Sequence, residues 1–333
     1  MFDIDICIPS FNRCDSLLQT LNSIMLTDER LNINLFVIDN ASDVDYEIAV
    51  KENFPRNYNV NLFVVRNRNN LGMSANIMRC FEQGQSEYLY IMSDDDLVLP
   101  DFSSRLREVL TIATKNSDPD IIKLGDEKDF IIKNYSDFLC AIDDKHKFNS
   151  FIFLSNVIYK RNSIAEYIEH GYQNCDSYVP HFMMINALIL NGGKVQTIPF
   201  SLVQYIVPSI GYNYARVAGI GVGSLKNVIL GLSKEDTKSF HSVFYPHNDV
   251  KVLIDLRAQC CGVGSVHDYR YLGRNYLFLI SRVRSFPRYY FVSLIFHVLK
   301  SEFILRMLFL DNKWLPKRIL NNIIEIKERY KIK

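Results

Sequence analysis

The sequence lacks the paired cysteines that build disulfide frameworks and structural zinc sites. Its seven cysteines are odd in number, and no two of them form a Cys-x-x-Cys pair. Small secreted scaffolds and zinc ribbons depend on such pairs. We therefore expect reduced thiols and a cytoplasmic protein.

The sequence also has no uninterrupted apolar run of the length that crosses a bilayer. Residues 291–310 come closest, but histidine or charged residues interrupt them at positions 297, 300, 302 and 306. A membrane-spanning helix needs roughly 20 predominantly apolar residues. The N-terminus lacks a basic segment followed by an apolar stretch, so we expect no signal peptide.

A strong net charge is missing as well. The formal value is +1, which gives no reason to expect a nucleic-acid partner. Residues 282–333 nevertheless carry twelve Lys or Arg and four Asp or Glu, interleaved with aromatic side chains. Two interpretations stay open for this segment. It lies on an anionic membrane, at the inner face of the cytoplasmic membrane, or it packs on protein, including another subunit of a homo-oligomer.

The first hundred residues alternate between apolar runs of strand length and amphipathic helical segments. The predicted strands are 3–10, 34–40, 61–67 and 87–93, and the predicted helices include 15–26 and 73–84. This alternation predicts βαβ units, and hence an α/β fold with a mostly parallel sheet and flanking helices.

The alternation weakens after about residue 120. A strand over 150–160, a helix over 178–190 and a strand over 194–200 are still predicted, and from about 225 the pattern is mainly helical. We therefore predict an α/β domain over 1–215 and a mainly helical C-terminal region over 216–333.

Polar residues follow each of the four predicted strands. They are PSFNR (9–13), DNASD (39–43), RNRNNLG (66–72) and SDDD (93–96). Because ligands of parallel sheets bind beyond the carboxyl ends of the strands, these segments predict a ligand site at one edge.

Three consecutive carboxylates, Asp94, Asp95 and Asp96, give the strongest signal in the sequence. Oxygen ligands at a strand end suit Mn²⁺ or Mg²⁺, which also bind phosphate oxygens. The alternative is a solvated acidic turn that caps the next helix.

Two further strand ends carry candidate ligand residues. Asp39 is placed to accept hydrogen bonds from a ribose or base, or else it only forms its turn. Gly72 allows close backbone approach, and Arg66 and Arg68 are placed to neutralise phosphate, unless they belong to a solvated loop.

The segments ICIPSFNR, VIDNASD, NRNNLGMSANIMRCFE and YIMSDDDLVLPD, in this order, resemble glycosyltransferase family 2. These are inverting transferases with a GT-A fold. The resemblance is specific over residues 3–102 and fainter to about 207. It implies a nucleotide-sugar-binding half, 1–102, and an acceptor half, 103–215.

The resemblance also implies roles for individual residues. Candidate donor-binding residues are Pro9, Ser10, Phe11, Arg13, Asp39, Asn70, Gly72 and Asp94. Aligned on Pro100, Asp95 falls on the main metal-binding position, and we assign the metal to Asp95 and Asp96. Ser93 stands where the family has its first Asp, so whether Asp94 or Asp96 assists Asp95 stays open.

The family's catalytic base lies in a downstream acidic motif, followed by a helix, a glycine and a strand. Residues 171–200 resemble that layout, with Cys175 and Asp176 in place of Glu-Asp. Asp176 is therefore the expected base that deprotonates an acceptor hydroxyl. The alternatives are that Asp176 only caps the next helix, or that His181 is the base, a metal ligand or a packing residue.

Weaker signals lie further along the chain. A GIGVGS segment (219–224), His241, His247 and the Cys260–Cys261 pair are interpreted as a loop, surface histidines and buried thiols.

The resemblance implies metal-dependent, inverting transfer of a sugar from a UDP- or CDP-sugar to a hydroxyl of a saccharide acceptor linked to polyprenyl diphosphate. The setting would be synthesis of a bacterial surface polysaccharide, such as capsule or the O-antigen of lipopolysaccharide. The layout resembles dideoxyhexosyl (abequosyl-type) transferases.

Two alternatives stay open, a sugar nucleotidyltransferase and a non-catalytic binding protein. PSFNRCDS lacks the glycines of a nucleotidyltransferase phosphate loop.

Overall fold

The structure is a computed structural model of the chain. It describes residues 1–204 apart from 25–29, 55–60, 126–127 and 143–144, a few residues between 233 and 257, and the segment 266–300. The chain divides into two units, residues 1–209 and 210–333.

The strands described in the first unit are short, and most are buried. They are β1 (Phe2–Ser10), β2 (Leu31–Asp39), β3 (Asn61–Arg66), β4 (Tyr88–Ile91), β5 (Leu97–Val98), β6 (Ile121–Leu124), β7 (Phe130–Ile132), β8 (Val157–Lys160), β9 (Val195–Ile198) and β10 (Val203–Gln204).

Helices connect these strands. They are α1 (Cys14–Ser23), α2 (Tyr46–Asn53), α3 (Met73–Gln83), α4 (Phe102–Asn116), α5 (Tyr135–Ala141), α6 (Lys145–Ile152), α7 (Arg161–Ala165), α8 (Ile168–Gln173) and α9 (Pro180–Leu190). Two 3₁₀ turns lie at Leu154–Asn156 and Cys175–Ser177. The second unit contributes α10 (Val266–Val283) and α11 (Phe286–Leu299).

Eight of the described strands form one sheet in the order β3-β2-β1-β4-β8-β6-β9-β7. The chain moves outward from β1 to β2 and β3 on one side and returns to β4 on the other, all in parallel. In sheets of this kind the ligand crevice lies where the direction of winding reverses, which here is beyond the carboxyl ends of β1 and β4. β8 runs antiparallel to β4 and β6, and β7 runs antiparallel to β9.

The predicted fold class is confirmed, since the sheet is mostly parallel and helices flank it. Residues 4–8 of β1 are all buried, as expected for a central strand covered on both faces. The predicted helix over 15–26 ends at Ser23, and Met25 and Leu26 lie outside the described residues.

The strand predicted over 150–160 is only partly correct. Residues 150–152 end α6, a 3₁₀ turn follows at 154–156, and only 157–160 form β8. A continuous apolar run carries no periodicity that separates a buried helix from a buried strand. The turn places Ser155 against the acidic segment, which a straight strand would not do.

Asp5, in the middle of β1, connects three elements at the amino end of the sheet. Its Oδ1 accepts hydrogen bonds from Asn34 Nδ2 at 2.9 Å and Ser86 Oγ at 2.6 Å. Its Oδ2 accepts from the backbone N–H groups of Gln85 at 2.6 Å and Ser86 at 2.9 Å. A buried carboxylate is tolerated here because neutral donors surround it.

The second unit is described mainly through α10 and α11. Asp249 is fully buried and pairs with Arg284 Nε at 3.2 Å and Arg288 Nε at 3.3 Å, while the Tyr276 hydroxyl donates to its Oδ1. Among the described residues, no helix combines the length and apolar character needed to cross a membrane.

We predict that Asp5→Asn lowers the free energy of unfolding by about 2–3 kcal/mol. The new amide NH₂ group must face either two backbone N–H donors or the donors of Asn34 and Ser86. Urea denaturation measures the change. Asp3→Asn is the matched control, because Asp3 is exposed and receives a hydrogen bond from Asn32 alone among the contacts described. Equal effects of the two substitutions would contradict this role of Asp5.

Candidate active site

The carboxyl end of β1 and the segment after β4 meet through a short hydrogen bond. Ser10 Oγ donates to Asp94 Oδ2 at 2.6 Å. The Tyr46 hydroxyl lies 3.2 Å from Ser10 Oγ and accepts the backbone N–H of Arg13 at 2.7 Å. Buried Tyr46, at the start of α2, thereby fixes the loop between β1 and α1 against the acidic segment.

Arg13 bridges two of the three carboxylates. Its Nη1 lies 3.1 Å from Asp94 Oδ1 and 2.9 Å from Asp95 Oδ2. The Arg13 side chain is 39% exposed, whereas Asp94 and Asp95 are 7% and 15% exposed. A cation therefore already lies between the two acids, at the crevice.

Burial opposes the negative charge of Asp94. Desolvation raises the pKa of its carboxyl, and the hydrogen bond from Ser10 and the charge of Arg13 act in the opposite direction. The balance leaves the pKa above the ordinary value for aspartic acid.

Asp96 is directed to a different partner. Its Oδ2 accepts a hydrogen bond from Ser155 Oγ at 2.6 Å, and its buried Oδ1 has no hydrogen-bond partner among the residues that the structure describes. Burial raises the pKa of Asp96 to about 6, and the neighbouring charges of Asp95 and Asp94 add to the effect.

Ser93 stands where the resemblance expects the first acid, and it contacts the second. Its Oγ donates to Asp95 Oδ1 at 2.5 Å, and its backbone N–H donates to Ser155 Oγ at 2.9 Å. Ser93 therefore orients Asp95 without adding charge.

The acidic segment fits a divalent cation that is completed by other ligands. Within the part of the chain that the structure describes, no cluster of three or more His, Cys, Asp or Glu side chains forms a metal site. Asp94 Oδ1 and Asp95 Oδ2, however, converge on one positively charged atom, and carboxylate oxygens suit Mn²⁺ or Mg²⁺. The sequence assigned the metal to Asp95 and Asp96 and left open whether Asp94 or Asp96 assists Asp95. In the structure Asp94 and Asp95 share Arg13, and the metal assignment remains a prediction.

Asp39, at the end of β2, is fully buried in an ion pair. Its Oδ2 lies 2.6 Å from Arg66 Nη1, and its Oδ1 accepts the backbone N–H of Ser42 at 2.8 Å. Arg66 also donates to the carbonyls of Ser42 at 2.6 Å and Val44 at 3.3 Å. Asp39 and Arg66 thus shape the loop after β2, and contact of Asp39 with a nucleotide remains a prediction.

Buried asparagines connect the ends of β2 and β3 to α3. Asn67 Nδ2 donates to Asn40 Oδ1 at 3.1 Å and to Asn76 Oδ1 at 2.7 Å. Asn40 Nδ2 donates to Asn70 Oδ1 at 2.9 Å, which in turn accepts the Gly72 N–H at 2.8 Å. Of these four asparagines, only Asn70 was predicted from the sequence. Asn40 in DNASD and Asn67 in NRNNLG lie in segments already recognised as polar strand ends, whereas Asn76 lies inside α3 and carried no signal.

Gly72 precedes α3 with a positive φ of 81° and is exposed. A side chain at this backbone conformation is strained, which explains the glycine in NRNNLG. Arg68, in the same loop, is also exposed.

The loop after β1 presents Phe11 to solvent, with 40% of its surface exposed. Asn12 holds this loop in place, since its backbone N–H donates to Ser42 Oγ at 2.9 Å and its amide bonds with Asp43. Pro9 is half-buried at the end of β1. The predicted donor-binding residues Pro9 and Ser10 therefore end β1, and Phe11 and Arg13 follow in the adjoining loop.

Asp176 lies in the 3₁₀ turn Cys175–Ser177, which packs against α3, α8 and α9, and its side chain is exposed. The residue before α9 is Val179, and no side chain caps this helix. Capping of α9 therefore does not account for Asp176, and its role as the catalytic base remains a prediction.

His181 is not placed for any catalytic role. It is 1% exposed, and its Nε2 lies 2.9 Å from the carbonyl of Ile152. Burial lowers its pKa to about 4, so the neutral ring is a packing residue of α9. The GIGVGS segment, His241, His247 and Cys260–Cys261 lie outside the described residues.

A sequence model of the family described as "Glycosyl transferase family 2" matches residues 5–170. The match covers 166 of the 333 residues, just under half of the chain. The matched range contains the loop after β1, the Asp39–Arg66 pair and the whole acidic segment. No curated protein sequence gives a significant match.

Solved structures have a similar fold. S. aureus TarS 1-349 superposes with a TM-score of 0.55 at 12% identity, covering 91% of each chain. Its complex with UDP-GlcNAc gives a TM-score of 0.54 at 10% identity, covering 91% of this chain and 92% of that one. The mannosyltransferase PcManGT from Pyrobaculum calidifontis, in complex with GDP-Man and Mn²⁺, gives 0.52 at 14% identity, covering 99% and 88%. These likenesses show the GT-A fold.

We predict that Asp39→Asn lowers the free energy of unfolding by about 1–2 kcal/mol, because Arg66 loses a buried, charge-assisted partner. Asp118→Asn is the control, since it removes a more exposed ion pair with Lys160 and should cost no more than about 0.5 kcal/mol. Denaturant titration of both variants measures the difference. Equal costs would show that the Asp39–Arg66 pair does not stabilise the loop.

Proposed function

We propose that this protein is an inverting, metal-dependent glycosyltransferase. The observation that carries the proposal is the convergence of Asp94 and Asp95 on one cation beyond the carboxyl ends of β1 and β4, within the range that the family 2 model matches. That is the edge of a parallel sheet at which nucleotides bind.

Asp94 and Asp95 would hold Mn²⁺ or Mg²⁺ against the diphosphate of the donor. The ion supplies positive charge that stabilises the leaving nucleoside diphosphate. The loop carrying Phe11 and Arg13 would contact the nucleotide, and the Asp39–Arg66 pair and the asparagine network would hold the loops that surround it. Asn70 and Gly72 would contribute the last of these loops.

Asp176 would act as the general base. It removes the proton from an acceptor hydroxyl as the hydroxyl oxygen attacks the anomeric carbon. The bond to the diphosphate oxygen breaks on the opposite face, so a single displacement inverts the configuration.

We infer that the donor is a UDP- or CDP-sugar and that the acceptor is a saccharide linked to polyprenyl diphosphate. O-antigen or capsule synthesis would supply such an acceptor, and a dideoxyhexosyl transfer fits the layout of the chain. Structural neighbours were solved with UDP-GlcNAc and with GDP-Man and Mn²⁺, which supports a nucleotide-sugar donor and a divalent cation.

Contact with an anionic membrane would bring the enzyme to a lipid-linked acceptor. Helix α11 exposes an apolar stripe at every fourth residue, which consists of Phe286, Tyr290, Leu294 and Val298. Residues 282–300 contain four Lys or Arg and no Asp or Glu. An exposed apolar stripe with flanking cations matches a helix that lies at the surface of an anionic bilayer.

The catalytic proposal predicts that Asp176→Asn still binds the donor but no longer transfers its sugar efficiently. A panel of UDP-, CDP-, GDP- and dTDP-sugars with Mn²⁺ or Mg²⁺ should identify a donor that raises the melting temperature of the wild-type protein. Asp176→Asn should keep this shift but lose transfer to an acceptor by at least about 100-fold, because only the base is removed.

Glu169→Gln is the matched control, since Glu169 is an exposed carboxylate that bonds to Gln173 on the preceding helix. It should keep both the shift and the transfer. Full transfer by Asp176→Asn would refute the assignment of the base. A melting temperature unchanged by every donor would refute the donor site itself.

The membrane proposal predicts that Phe286→Glu combined with Leu294→Glu reduces co-sedimentation with anionic vesicles of phosphatidylglycerol by about tenfold or more, because two apolar anchors are lost. Ile48→Glu is the control, since Ile48 is equally exposed on α2 in the catalytic unit. Binding that survives the double substitution, or equal binding to neutral phosphatidylcholine vesicles, would contradict the proposal.

A further inference from the structure

Arg13 occupies the position between two carboxylates at which the proposed function requires a metal ion. One nitrogen of its guanidinium, Nη1, lies within 3.1 Å of both Asp94 Oδ1 and Asp95 Oδ2. The guanidinium of Arg13 therefore already neutralises the two acids in part.

The other oxygen of each acid accepts a hydrogen bond from a serine. Ser10 Oγ donates to Asp94 Oδ2 at 2.6 Å, and Ser93 Oγ donates to Asp95 Oδ1 at 2.5 Å. The two oxygens that bind Arg13 are therefore the best-placed ligands for a cation that binds both acids, because the other oxygen of each acid already accepts a short hydrogen bond. Because two cations repel at such a distance, the guanidinium and the metal ion exclude one another.

We propose that Arg13 is a built-in counter-ion that competes with the divalent cation for Asp94 and Asp95. This inference rests on the proposed function, because the competing ion is the one that accompanies the donor. Metal alone binds weakly under this arrangement, since only the fraction of molecules with Arg13 displaced is competent to bind it.

The position of Arg13 suits such a displacement. Its backbone is fixed, since its N–H donates to the Tyr46 hydroxyl at 2.7 Å, next to the start of α1. Its long side chain is 39% exposed and is therefore able to turn away from the acids. A guanidinium binds phosphate in a bidentate geometry, so the displaced side chain becomes a ligand for the donor's diphosphate. Metal and donor then bind cooperatively.

The test measures Mn²⁺ binding without nucleotide, by calorimetry and by electron paramagnetic resonance of free Mn²⁺. Arg13→Gln should bind Mn²⁺ about five- to tenfold more tightly than the wild type, because the competing guanidinium is gone. Its melting temperature should be lower than that of the wild type in a chelator and should rise more when Mn²⁺ is added.

Two controls define the effect. Arg13→Lys keeps a positive charge and should bind Mn²⁺ with nearly the affinity of the wild type. Arg79→Gln removes a guanidinium from its ion pair with Glu82 on α3, away from the acidic segment, and should also match the wild type.

The outcomes separate this inference from the proposed function. Equal or weaker Mn²⁺ binding by Arg13→Gln overturns the competition, and metal-dependent transfer by the wild type then leaves the proposed function intact. Absence of Mn²⁺ binding in both proteins, even with UDP or CDP added, overturns both.

Discussion

Electrostatic compensation of Asp94 and Asp95 by the guanidinium of Arg13 is the interaction on which the site depends. Adjacent carboxylates at a buried strand end repel one another, and burial makes that repulsion stronger. Arg13 comes from the loop after β1, so compensation requires β1 and β4 to be neighbours. The charged site is therefore stable only because the sheet reverses its winding between β1 and β4, which makes these two strands neighbours.

The buried aspartates at the two ends of the sheet have different kinds of partner. At the amino end, Asp5 is satisfied by neutral donors of the backbone, a serine and an asparagine. The fold itself holds these donors next to Asp5. At the carboxyl end, Asp94 and Asp95 share a cation on a half-exposed, flexible side chain. The first arrangement contributes to stability alone, whereas the second allows another cation to take the place of Arg13.

Periodicity and strand-end chemistry were enough to predict the first four strands, the parallel sheet and the edge that carries the polar residues. Side-chain direction was not predictable from them. Asp94, Asp95 and Asp96 are consecutive, yet Asp96 turns to Ser155, a partner 59 residues away in a 3₁₀ turn that apolar patterning could not reveal. Likewise, sequence spacing left His181 as a candidate base, and only its burial in α9 excludes that role.

A rigid frame surrounds the one replaceable ion pair. Asp39 with Arg66, and the asparagines at positions 40, 67 and 76, hold the neighbouring loops through hydrogen bonds that ligand binding does not need to break. In the proposed exchange Arg13 turns away from the two acids, while the hydrogen bonds of the described loops stay in place. Such preorganisation keeps the cost of reorganising these described loops small, because few of their rotamers are newly ordered. The same frame explains why so many polar side chains are buried at this edge of the sheet.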